Sequence, residues 1–311
     1  MALQTRRAGW YKRSAALRPE VREEPAALLL VRGDLVQAIA AQSAAAGRNE
    51  VGGPLFGTVE RSWNGNEFGL VVSILATVPA GLAVLGASSS VALGSESGGD
   101  GERAASALLW LRSLTGLDLL HLGDWHRHPG HLDRPSGGDL DTARELRAVA
   151  AAPIWLIAIA VGGERARERA RADDGVVTHV RTSSAANELR FYRVDGRAGC
   201  RRLPVRIENE TVPRLPPLPW HIADPTRFTV ECRLLTAAGF AIAIEETARG
   251  KKPETVLRLS RDGRPALLVG TGPGYPKTRP RVSDERRCEI RIDGPWSPER
   301  FLVDLVNGVE R

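Results

Sequence analysis

Along the first two thirds of the chain, short apolar runs alternate with stretches of helical periodicity. Residues 26–31 form an apolar run closed by Arg32-Gly33-Asp34, and the alanine-rich stretch 35–46 has the propensity of a helix that stops at Gly47. The glycines and β-formers of Glu50-Val51-Gly52-Gly53-Pro54-Leu55-Phe56-Gly57-Thr58-Val59 predict a strand entered through a tight turn. Residues 68–77 predict another, bounded by Pro79 and Gly81. Residues 86–101 are rich in serine and glycine and read as a loop, whereas 103–114 place Leu108, Leu109, Leu111 and Leu114 on or near one helical face. A buried strand is expected at 117–125, a helix at 137–150 and a strand at 154–161. Two closing strands, 176–182 and 189–194, end this first unit near residue 210.

The pattern then changes. Four prolines, Pro213, Pro216, Pro217 and Pro219, fall within seven residues and predict an extended, semi-rigid spacer. Beyond it come a helix at 226–238 and short strands at 240–246, 255–259 and 265–269. A Pro/Gly-rich loop, a strand at 288–292 and a last helix after Pro298 follow. The expected organisation is a polar leader (1–24), a first α+β unit (25–210), a linker (211–221) and a smaller α+β unit (222–311), without an internal repeat.

Composition narrows the function classes. A chain of 311 residues accommodates two domains of the usual size, about 100–200 residues each. The net charge of +6 and pI near 9.7 raise the question of a nucleic-acid partner. Acidic residues are interspersed among the arginines without a long basic block, which argues against one. The densest charge run, Glu164–Asp174 (ERARERARADD), reads as a solvated helical face or flexible loop. The three cysteines, Cys200, Cys232 and Cys288, are too few and too dispersed for a disulfide framework or a Cys-x-x-Cys zinc ribbon. The leader lacks the apolar core of a signal peptide, and no run approaches the ~20 apolar residues of a membrane span. A cytoplasmic protein without a membrane partner is the expectation.

The chemistry concentrates in residues 124–139, DWHRHPGHLDRPSGGD. His126 and His128 alternate at the end of a strand, so their imidazoles share a face and can converge on one ion. After seven intervening residues, Ser136 can cap the helix that follows while Asp139 projects from its first turn. Two neutral nitrogens and a carboxylate oxygen make a His2Asp set with an open fourth position, the pattern of a catalytic zinc site. Taken singly, a His-x-His pair is most often a polar turn and Ser-x-x-Asp an ordinary capping pattern. His131 and Asp133, in the loop between the ligands, read as surface residues. His121, an odd number of residues from both ligands, is expected on the opposite face of the strand as a core or partly buried histidine. Asp124 and Trp125 are candidates for support behind the ligands, with Trp125 equally suited to the core.

The full spacing, H-x-H-x(7)-S-x-x-D, resembles the signature of the JAMM (MPN-plus) metalloproteases, and residues 25–195 look like a bacterial member of that family. The family pattern also calls for an upstream glutamate followed by small residues, a place that Glu50 in EVGGPLFG fits. The resemblance implies a JAB/MPN-type, deaminase-like mixed sheet flanked by helices. It implies one zinc ion per chain held by His126, His128 and Asp139, with Glu50 as general acid and base. Ser136 would donate a hydrogen bond to the oxyanion. The implied substrate is the C-terminal tail of a ubiquitin-like protein or its conjugates, cleaved in deconjugation or precursor processing, with 87–101 and 164–174 as candidate substrate loops. An inactive MPN-type scaffold is the alternative.

In the second unit, Tyr275-Pro276-Lys277-Thr278-Arg279-Pro280-Arg281-Val282 and Trp296-Ser297-Pro298 resemble the Tyr-Pro turn and Trp-Ser-Pro of the ubiquitin-conjugating (UBC) and RWD fold. Cys288 stands eight residues before Trp296, where active conjugating enzymes place their thioester cysteine. Only five residues separate Val282 from Cys288, leaving no room for that family's His-Pro-Asn segment. An inactive binding module is therefore favoured over a conjugation component using Cys288. Activating or conjugating enzymes of the same pathway are the further partners this resemblance implies.

Overall fold

The computed structural model describes residues 26–46, 50–63, 68–78, 98–128, 132–150, 152–161, 179–181, 188–195, 199–249, 252–292 and 294–309. Its first strands are β1 (Ala27–Val31), β2 (Val51–Trp63), β3 (Phe68–Thr77), β4 (Leu120–Arg127) and β5 (Leu156–Val161). Then come β6 (His179–Arg181), β7 (Glu188–Asp195), β8 (Gly199–Arg202) and β9 (Val205–Ile207). These form one mixed sheet in the order β6-β7-β5-β4-β2-β3-β1-β9, with β8 paired to β7. The central strand β5, Leu-Ile-Ala-Ile-Ala-Val, is buried along its whole length, as a strand covered on both faces must be.

One face of the sheet packs on helix α1 (Gly33–Ala45) through Leu29, Ile39, Leu55, Ile74, Trp125, Leu156 and Phe191. The other face is covered in two parts. Helix α2 (Gly98–Thr115) supplies Trp110 and Leu111 against Phe56 and Leu75. Helix α3 (Gly137–Ala150) lies over Trp155, Ile157, Ile159 and Tyr192. The histidine window opens on this second face, between the two parts.

A second sheet, β10 (Ala241–Arg249), β11 (Lys252–Arg261), β12 (Arg264–Thr271) and β13 (Arg281–Asp284), is an antiparallel meander in sequence order. It packs on α5 (Pro225–Ala237) and α6 (Leu302–Val309) around Trp220, Leu257, Val269, Tyr275 and Leu305. Asp224 caps α5 by accepting from Arg227 N–H at 2.9 Å, with proline in the first turn. The architecture is therefore α+β, as expected.

Four expectations need correction. Helix α2 begins at Gly98, five residues early, because the packed Ala107–Leu111 segment propagates helix back through glycines that locally read as loop. The last strand of the meander is β13, not 288–292: Arg287 adopts a positive φ of 63°, which breaks extended backbone, and beyond it only a bridge from Glu289 to Ser283 remains. The proline run is not a free spacer. Val212 is buried and Leu215 and Leu218 pack with Phe56 and Leu111, while Arg32 Nη1 donates to the Val212 carbonyl at 2.8 Å. Finally, β8, β9 and the short helix α4 (Trp220–Ala223) escape a local reading, because they exist through pairing with β7 and β1 or packing on the two cores. Of the candidate substrate loops, 87–97 and 164–174 lie outside the described residues, and 98–101 form the start of α2.

Candidate metal centre

Strand β4 brings His126 to the face that α3 covers. Its register fixes this: His126 pairs with Gly52 on β2 and with Ile159 on β5, and Ile159 belongs to the cluster under α3. Trp125 points the other way, fully buried in the α1 core, where its indole N–H donates to Thr77 Oγ1 at 2.9 Å. Gly52 is there for closeness: a Cβ on it would stand 2.5 Å from the Trp125 carbonyl oxygen and 2.9 Å from His126 Cβ. The small residues after Glu50 thus let β2 approach the ligand strand, which brings Glu50 beside it.

The helix start supplies the other half. Ser136 and Asp139 form a reciprocal cap: Ser136 N–H donates to Asp139 Oδ2 at 2.6 Å, and Asp139 N–H donates to Ser136 Oγ at 3.2 Å. The same Oδ2 lies 3.3 Å from His126 Nε2 and 3.3 Å from His128 Nε2, and those two nitrogens are 3.3 Å from each other. This triangle is equilateral. Tetrahedral zinc with ligands at ~2.0–2.1 Å places its donor atoms about 3.3–3.4 Å apart, so the three atoms already stand at the edge length of that coordination shell.

A second grouping overlaps the first: ligand atoms of Glu50, His126 and His128 all lie within 4.8 Å of one another. The tighter spacing and the cap favour Asp139 as the third ligand. Glu50, buried at 9 % exposure and set back from the triangle, is placed to work on something bound there. Burial opposes ionisation of Asp139, but hydrogen bonds from His126 and His128, the charge of His126 and the Ser136 N–H outweigh it. They hold the carboxyl far below the usual carboxylate range. His126 Nδ1 is buried with no hydrogen-bond partner among the described residues, so packing and register hold the ring.

His121 is partly buried as expected, but the structure overturns the face assigned to it. Strand β4 carries a bulge: Leu55 pairs with Gly123 and Phe56 with His121, leaving Leu122 unmatched. The extra residue resets the alternation and turns His121 to the face of the metal centre. There its ring lies 5.6 Å from Phe56 and 4.8 Å from Trp155, bridging the clusters under α2 and α3, and its Nε2 reaches Asp124 Oδ1 at 3.3 Å. Gly123, at φ 142° and against Leu156 backbone, makes the bulge possible.

Asp133 is no idle surface residue. Arg190 Nη1 donates to Asp133 Oδ2 at 2.7 Å, Arg190 Nε donates to buried Glu188 at 2.6 Å, and the Tyr192 hydroxyl donates to the Asp133 carbonyl at 3.0 Å. The β7 partners carry no local motif, and sequence reasoning missed them. His131 lies outside the described residues. Cys288 is exposed on the turn after β13, with its N–H donating to Asp284 Oδ1 at 2.8 Å. It belongs to the second sheet and not to this cluster.

No curated protein matches the chain. Among solved structures, the solution structure of a protein from Desulfitobacterium hafniense is similar at 15% identity and TM-score 0.36, covering 58% of this chain and 94% of that one. A family match covers His126, His128, Asp139 and Glu50. Residues 33–173 match the prokaryotic homologs of the JAB domain, and the chain carries a Prok-JAB domain there.

Proposed function

We propose that this protein is a zinc-dependent peptidase or isopeptidase that cleaves at the C-terminal tail of a ubiquitin-like protein. The observation that carries the reading is the equilateral 3.3 Å triangle of His126, His128 and Asp139, with Glu50 beside it. The donor set, two imidazole nitrogens and one carboxylate oxygen at tetrahedral spacing, fits zinc with one position left for water or substrate.

Zinc held there supplies Lewis acidity, making water nucleophilic at neutral pH and polarising the scissile carbonyl. The protein's residues do the rest. Glu50 takes the proton of the attacking water on its carboxylate and delivers it to the leaving amine nitrogen. Ser136 Oγ accepts from Asp139 N–H, which leaves its hydroxyl hydrogen to point toward the substrate oxygen as negative charge develops. The helix cap therefore also orients the oxyanion donor.

The second sheet and its helices form, in this reading, a UBC/RWD-like binding module that presents the substrate or a partner enzyme. Tyr275, Trp220 and Trp296 support it. The Tyr275 ring lies 4.6 Å from Trp220, and Trp296 Nε1 donates to the Pro276 carbonyl at 2.7 Å, fixing the proline turn against the core.

The test pairs metal analysis with cleavage. Purified protein should contain close to one zinc per chain and release a ubiquitin-like fusion partner. Glu50→Ala should retain the zinc and lose cleavage by roughly 10²–10⁴-fold. Zinc binding without cleavage of any ubiquitin-like tail would favour a protein-binding scaffold.

A further inference from the structure

The ligands come from two elements, the end of β4 and the start of α3, joined by a loop. Something must hold the helix start at the right height above the strand, because an error of half an ångström in one donor spoils a coordination shell. The cap between Ser136 and Asp139 is internal to the helix and cannot do this.

Strand β7 can. In the sheet register Ile159 pairs with His126 on one side and with Arg190 on the other, so Arg190 stands in the same lateral row as the first ligand, two strands away. Tyr192 occupies the neighbouring row, through Ile157, as Asp124. Both side chains reach up from the sheet to one residue, Asp133, three positions ahead of Ser136. Arg190 takes its carboxylate and Tyr192 its carbonyl. Arg190 is itself fixed by buried Glu188, and its side chain is only 5% exposed. Burial opposes its charge, but Glu188 and Asp133 more than offset that and raise its pKa. The loop is thereby fastened to the rigid sheet that carries His126.

We propose that the clamp of Arg190 and Tyr192 on Asp133 is a positioning device for the metal centre: it sets where Ser136 and Asp139 stand relative to His126 and His128. The proposal rests on the metal-centre reading above. Arg190 does not touch the metal or substrate, and acts through the loop.

The experiment measures zinc affinity by competition with a chromogenic chelator, alongside thermal melting of the metal-free protein. Asp133→Ala cuts the clamp while leaving the Arg190–Glu188 pair in place. It should weaken zinc binding about 10–100-fold, the usual cost of losing an outer support of a metal site, with metal-free melting close to wild type. Asp133→Asn, whose amide oxygen still accepts from Arg190, should recover most of the affinity. Should Asp133→Ala not fold, Tyr192→Phe tests the same device and should give a smaller loss of affinity. Zinc affinity in Asp133→Ala (or Tyr192→Phe) within twofold of a zinc-binding wild type overturns the positioning role alone. A wild type that binds no zinc overturns the metal-centre reading, and the device with it.

Discussion

Two polar clusters sit in the two halves of the chain, and they differ in how their polar atoms are arranged. In the second half, Glu231 is fully buried between α5, α6 and the Tyr275 turn. One carboxylate oxygen accepts from Arg227 Nε at 2.7 Å and from the Tyr275 hydroxyl, and the other accepts from Leu302 N–H at 2.8 Å. Each partner is a donor meeting an acceptor. At the metal centre, two imidazole nitrogens and a carboxylate oxygen crowd to a common 3.3 Å spacing, although the oxygen already accepts a 2.6 Å bond from Ser136 N–H. A buried acid whose hydrogen bonds close is a fastener, whereas two imidazole nitrogens and a carboxylate oxygen drawn together at one equal spacing offer the donor set of a metal site.

This contrast breaks most directly at the two acids. Asp139→Ala should weaken zinc binding on the order of 10³-fold or more, beyond the ~10–100-fold of outer-support changes, and cost the metal-free protein only about the ~1 kcal/mol of a lost helix cap in urea denaturation. Glu231→Ala should do the reverse. Removing a buried charge from Arg227 and Tyr275 costs about 3–5 kcal/mol in urea denaturation and leaves zinc content of the folded fraction intact. If Asp139→Ala destabilises the metal-free protein as much, the distinction between fastener and site fails.

Smaller changes sharpen it. Gly52→Ala forces β2 away from His126 and should cost roughly 1–3 kcal/mol, with weaker zinc binding as a second readout. Tyr275→Phe deletes one donor to Glu231 while Arg227 and Leu302 remain, so about 1 kcal/mol is expected. The finest probe is Cys232, which neighbours Glu231 on α5: burial first, then the Glu231 charge, pushes its thiol from 9.0 up to about 11. Iodoacetamide labelling followed by mass spectrometry should therefore find Cys232 slow at pH 8 and accelerating through pH 10–11, and Glu231→Gln should bring that rise to lower pH. The sign for stability follows. Between pH 9 and 11 the unfolded thiol ionises while the folded one stays protonated, so this group's contribution to stability falls as pH rises.

Much of the candidate site's geometry was legible because its parts are local in sequence. Alternation of His126 and His128, the Ser136 cap and helix α3 all follow from spacings of two to four residues, and the helix bounds 137–150 were read without error. What escaped was non-local. The β4 bulge depends on Gly123 meeting the Leu156 backbone, which no alternation rule along β4 reveals, and it moved His121 to the other face. Arg190 and Tyr192 sit in a strand whose alternation marks them only as one face. Their meeting with Asp133 is a property of sheet order. In the second half, Arg287 at positive φ carried no sequence signal, so the last strand was placed one turn late.

The proline run has a practical consequence for anyone dissecting the protein. Val212, Leu215, Leu218 and Ile222 close the apolar wall formed by Phe56, Leu75 and Leu111. Cutting at residue 210, the boundary the prolines suggest, would strip four plugs from that wall and leave a sticky, aggregation-prone fragment. A cut placed after Ala223 keeps these four residues on the wall but takes Trp220 out of the second core, so the stretch 212–223 belongs to both halves.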